Sequence, residues 1–129
     1  EPESTAVRQA VATAAEVVVS SLTRLEAEVT LKAGHLGGRY RARQWNAYRE
    51  KLDELLHLSP FRASTLGGRV FETAILQDRE ADTTHCRSLD RLHLAAMQEL
   101  SLRHLMTHDE AQAAAAVALG YRVDRPGRH

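Results

Sequence analysis

Val7, Val11, Ala14, Val18, Leu22, Leu25, Val29 and Leu36 follow one another at steps of three, four and finally seven residues. This spacing draws one apolar stripe along a helix of 3.6-residue period, and it constrains the chain more than any other feature. It predicts a first helix from about Ser4 to Ala33, roughly 45 Å long at about 1.5 Å per residue. Gly34 is the expected C-cap, because Gly34, Gly37 and Gly38 fall within five residues and a helix does not easily pass through them.

The same periodicity continues beyond the turn. A second helix is expected from about Gly38 to His57, burying Trp45, Tyr48, Leu52, Leu55 and Leu56. Ser59-Pro60 reads as the start of a third, carrying Phe61, Leu66, Val70, Phe71 and Ile75, with Gly67-Gly68 as a kink or an interruption. A fourth helix from about His85 to Met106 buries Leu89, Leu92, Ala96, Met97 and Leu100. Thr107-His108-Asp109-Glu110 has the capping-box pattern, so a short last helix should follow and end at Gly120. Short connections between long amphipathic helices imply antiparallel neighbours. The expected fold is all-α: an elongated up-down four-helix bundle with a short additional C-terminal helix. One helical domain is expected over 1–129, with an ordered core at about 4–120 and a tail at 121–129. No apolar stretch is long enough to span a bilayer, and the first residues, Glu1-Pro2-Glu3-Ser4, lack a secretory signal. So abrupt a start is expected of a segment cut from a longer chain.

Charge supplies the functional clue. The formal net charge is zero, yet Val29 to Arg49 contains no acid and holds Lys32, Arg39, Arg41, Arg43 and Arg49. Such segregation points to a pole that faces something anionic. In the expected bundle the first and third connections share one tip, which would bring His85 and Arg87 to Lys32, His35, Leu36, Arg39 and Arg41. Cations that attract headgroups, with an apolar Leu36 at the apex, are the two parts of an interfacial site.

No catalytic chemistry is apparent at this level. There is no phosphate-binding Gly-Lys motif, nucleophile elbow or zinc-protease signature. Cys86, the one cysteine, would share a helix face with His93 and His104, but Leu89 and Leu100 alternate with them, so the face reads as core rather than as a soft metal site. His104 and His108 have the spacing of a helical metal pair, but the one adjacent third ligand, Asp109, is expected to point elsewhere on the helix. The expectation is therefore a non-enzymatic protein without metal or cofactor.

A long helical bundle with basic groups and a hydrophobic residue at one tip resembles the four-helix-bundle membrane localisation domains of large bacterial toxins and secreted effectors, most of all the lipid-raft-targeting domains of type III effectors. The resemblance rests on Leu36, Arg39 and Arg41 in the first loop and on His85 and Arg87 by the third. It implies binding of anionic phospholipids such as phosphoinositides through Lys32, His35, Leu36, Arg39, Arg41, His85 and Arg87. It also implies a place at the cytoplasmic face of a host plasma membrane after secretion, and a secretion chaperone as second partner. Two alternatives stand beside it. The segment Arg39-Tyr40-Arg41-Ala42-Arg43-Gln44-Trp45-Asn46 could enter a nucleic-acid groove, with Gln44 or Asn46 reading bases, and the long first helix could pair two copies in a homodimer.

Overall fold

The computed structural model describes residues 2–127. Its elements in chain order are α1 (Pro2–Thr13), β1 (Val17–Ser20), α2 (Ser21–Leu36), α3 (Ala42–Leu55), β2 (Phe61–Ser64), α4 (Arg69–Glu80), α5 (Ser88–Glu99), β3 (His104–Met106), α6 (Glu110–Ala118) and β4 (Arg122–Asp124). The chain forms two compact units, one of residues 11–66 and one of residues 1–10 with 67–129. One boundary falls within α1 and the other between Leu66 and Gly67.

The expected all-α bundle is not the fold. Four parallel strands interrupt the helices, and the long first helix is two helices with a strand between them. Val17-Val18-Val19 is the physical reason: three successive β-branched side chains are stiff at χ1 and favour a pleated backbone. In the 11–66 unit β1 pairs in parallel with β2, Val17 opposite Phe61 and Ser20 opposite Ser64. Parallel neighbours cannot be joined by a tight turn, so the chain crosses over through α2 and α3. Ser20 ends the strand and caps α2 by accepting a hydrogen bond from the Thr23 amide at 3.2 Å.

Helix α2 runs through Gly34 to Leu36, and Gly37 rather than Gly34 is its C-cap. Gly34 is needed for close approach: a Cβ there would lie 2.5 Å from Tyr40 Cε2. The Gly34 carbonyl accepts the amides of Arg39 and Tyr40, and His35 Nδ1–H donates to the Tyr40 carbonyl at 2.9 Å. The His35 ring also stacks on Trp45 at 4.6 Å. The glycine-rich turn is therefore closed by its own backbone and by aromatic packing. Its surroundings are also less one-sided than the sequence implies, since Arg49 lies 3.5 Å from Glu28 and over the Trp45 ring.

The second unit repeats the principle. Here β3 pairs in parallel with β4, His104 opposite Arg122 and Met106 opposite Asp124, with α6 as the crossover. Helix α5 packs between α4 and α6 contacts. Cys86, Leu94, Met97, Ala115 and Ala116 form the buried cluster, with Leu102, Leu105, Leu119, Tyr121 and Val123 packed against it. The four small alanines Ala113 to Ala116 are what lets α6 approach closely, three of them being fully or almost fully buried. The other expected helices are shorter than their stripes suggested. Ser59-Pro60, joined by a cis peptide bond, leads into β2, and Gly67-Gly68 lie in the connection ahead of α4. Helix α5 ends at Glu99, followed by Ser101 at φ 58°, and β3 takes the residues expected to be its last turns.

Candidate active site

A parallel β–α–β crossover leaves the amides at the start of its helix pointing past the carboxyl end of the preceding strand, the usual place for ligands in α/β folds. In the second unit that place is the turn from β3 into α6. Asp109 sits there as the N-cap of α6, its Oδ1 accepting the Gln112 amide at 2.8 Å. Thr107 Oγ1 braces the turn by accepting the Asp109 amide at 3.1 Å and donating to Gln112 Oε1 at 2.7 Å. The expected capping pattern thus starts a helix, with Asp109 as its cap. The cap occupies Oδ1 and turns Oδ2 outward.

Asp90 arrives from the first turn of α5. Its Oδ2 lies 3.1 Å from Arg87 Nε, and Asp109 Oδ2 lies 3.6 Å from Arg87 Nη2. Two carboxylates from two helix N-termini thus converge on one guanidinium. Their exposures differ usefully: the Asp90 side chain is 13% exposed, Asp109 38% and Arg87 80%. The acidic pair is held by the scaffold, whereas the cation on it faces water.

The donor set suits a hard divalent cation, because carboxylate oxygens bind magnesium and manganese in preference to softer metals. Among the described residues no group of three His, Cys, Asp or Glu side chains gathers to hold a metal. Magnesium in nucleic-acid enzymes is commonly held by one or two carboxylates together with substrate phosphate and water, so the pair fits that role. The histidines are engaged elsewhere: His104 Nε2 is 2.8 Å from Asp124 Oδ2, and His108 Nε2–H donates to the Pro126 carbonyl at 2.6 Å. Cys86 precedes α5 and is buried, so the shared helix face expected for Cys86, His93 and His104 does not form. Burial pushes its thiol above the ordinary cysteine range, an effect the neighbouring Arg91 guanidinium partly offsets.

Arg91 itself is 4% exposed, and its three guanidinium nitrogens have no hydrogen-bond partner among the described residues. In the other unit, Glu26 is a half-buried acid in the second turn of α2, the helix that leaves the carboxyl end of β1.

The residues expected to bind lipid belong to both units. Lys32, His35, Leu36, Arg39 and Arg41 belong to the α2–α3 turn of the 11–66 unit, whereas His85 and Arg87 precede α5 in the other. The shared tip that was to unite them followed from the bundle, which this chain does not form. Leu36 is exposed, Arg39 lies over the Tyr40 ring, and the Arg41 amide donates to Gln44 Oε1 to start α3. Asp90 carried no site signal in the sequence, and as a ligand Asp109 entered only as a neighbour of His108 expected to point away. They stand nineteen residues apart in no familiar motif, and only the crossover brings them together.

Comparison with known families agrees with the strands rather than the bundle. The PIN-domain family pattern matches residues 1–118, and the chain belongs to that family. No curated protein and no solved structure matches it. The PIN domain is an α/β, nuclease-like fold whose members are generally metal-dependent nucleases. This overturns the resemblance to toxin and effector membrane-localisation bundles, the lipid-targeting function and the expectation of a non-enzyme.

Proposed function

We propose that this PIN-domain chain is a metal-dependent nuclease that hydrolyses phosphodiester bonds in RNA, with Asp90 and Asp109 at its hydrolytic centre. The observation that carries the reading is the convergence of Asp90 Oδ2 and Asp109 Oδ2 on one guanidinium beyond the carboxyl end of β3. Ribonuclease activity is typical of the family, and nucleic acid was already the alternative partner in the sequence.

The residues divide the work by position. Asp109, fixed through its Oδ1 cap, and Asp90, largely covered, hold two oxygens toward one point. The positive ends of the α5 and α6 dipoles favour a phosphate group beside that point. When bound, a divalent cation supplies polarisation of a phosphoryl oxygen and stabilises the charge that develops there. In the reaction a water oxygen bonds to phosphorus and the bond to the leaving sugar oxygen breaks. That oxygen leaves as a hydroxyl after taking up a proton.

The test is cleavage of an end-labelled single-stranded RNA by the purified chain with magnesium or manganese. Asp90→Asn and Asp109→Asn each should lower the rate at least a hundredfold, about 2.7 kcal/mol of transition-state stabilisation. Cleavage that survives both substitutions, or that EDTA does not stop, would remove this centre.

A further inference from the structure

A cation already touches the acidic pair. Arg87 Nε and Nη2 reach Asp90 Oδ2 and Asp109 Oδ2, the same oxygens a divalent metal would take. Guanidinium and metal compete for them, since each needs those lone pairs and each repels the other. The backbone of Arg87 is fixed, because it is the N-cap of α5 and its carbonyl accepts the Arg91 amide at 2.9 Å. Its side chain is 80% exposed, and its two carboxylate contacts are made by the guanidinium rather than by the capping backbone. Helix N-termini attract anions, and the planar fork of arginine suits a phosphate held beside them.

We propose that Arg87 is an exchangeable ligand of the acidic pair: it holds Asp90 and Asp109 together until a divalent cation takes their oxygens, then turns its guanidinium to a phosphate group of the nucleic acid. The identity of that phosphate rests on the nuclease reading, and the competition with metal does not. Arg87 is thus a positioning residue toward the carboxylates and a binding residue toward the substrate.

The two roles predict opposite signs for one substitution. Calorimetric titration of Mn²⁺ into the full chain should show Arg87→Gln binding about fivefold tighter than wild type, because the competing guanidinium, itself exposed, is lost. Fluorescence anisotropy of a labelled single-stranded RNA in Ca²⁺ should show the same variant binding about tenfold more weakly. Arg87→Lys should fall between on both, because it keeps the charge and loses the fork. A merely structural role would weaken both. Mn²⁺ affinity unchanged or lowered in Arg87→Gln, or RNA affinity unchanged, overturns the proposal. So does a wild type that gives no Mn²⁺ heat, or an Asp90→Asn/Asp109→Asn variant that keeps it. If both affinities move as expected while wild type leaves RNA intact in Mg²⁺ and Mn²⁺, the exchange stands and the nuclease reading falls.

Discussion

Replacing Arg91 by methionine should make the protein more stable. Arg91 is 4% exposed in the first turn of α5, and Nε, Nη1 and Nη2 have no hydrogen-bond partner among the described residues. A buried charged group without hydrogen bonds costs about 3 kcal/mol or more. Methionine keeps most of the apolar stem but is shorter, and the space it leaves returns about 1 kcal/mol of that gain. The net expectation is about 2 kcal/mol of added stability, or a rise in Tm of roughly 8 °C for a chain of this size. Urea unfolding followed by circular dichroism, with the slope compared between variants, measures it directly. A companion reading comes from Cys86. Arg91 lowers the thiol's pKa against the effect of burial, so in Arg91→Met the thiol should titrate at still higher pH. If Arg91→Met were instead destabilised by 2 kcal/mol or more, the guanidinium would have a partner that these contacts do not contain, and the reasoning would be refuted.

Other expectations follow from single contacts. Asp109→Asn should keep the helix cap and lose only the metal-binding oxygen, whereas Asp109→Ala should also cost about 1 kcal/mol of stability, so comparing their melts separates capping from chemistry. Gly34→Ala should destabilise by about 1 kcal/mol because its Cβ meets the Tyr40 ring, yet in a Tyr40→Ala background the same change should stabilise, through helix propensity, in a double-mutant cycle. For Cys86 the raised thiol means that the unfolded chain ionises first as pH climbs. Stability should be fully present below the ordinary thiol pKa and decline above it, and iodoacetamide should react slowly until the protein is unfolded. Leu94, fully buried against Met97 and Ala115, should cost about 3 kcal/mol when cut to alanine, read as a lower urea midpoint.

Much of the helical content was legible and the fold was not, for one physical reason. A stripe of period 3.6 survives a short interruption: Val18 and Leu22 keep the spacing although one lies in β1 and the other in α2. Four residues of strand cannot shift a pattern read over thirty. β3 and β4 are three residues each, too short to show alternation, and their pairing depends on contacts distant in sequence. The run Val17-Val18-Val19 was the available signal, since three β-branched residues in succession argue against a helix interior. The site was hidden more deeply. Asp109 could be read as part of a helix start, and it is one, but its second oxygen gains meaning only when β3 and β4 pair across α6 and Asp90 is brought alongside. Arg87 entered as a cation for lipid phosphate, while the structure sets it on two carboxylates. The basic, glycine-rich turn stood out because its charge is segregated, yet Gly34 is there so that Tyr40 can pack.

The most direct measurement is an anomalous difference map from crystals of the chain soaked in Mn²⁺. The account predicts a peak within about 2.2 Å of Asp90 Oδ2 and Asp109 Oδ2, with the Arg87 guanidinium turned away. A peak elsewhere, or none with Arg87 still bridging the two carboxylates, would contradict it.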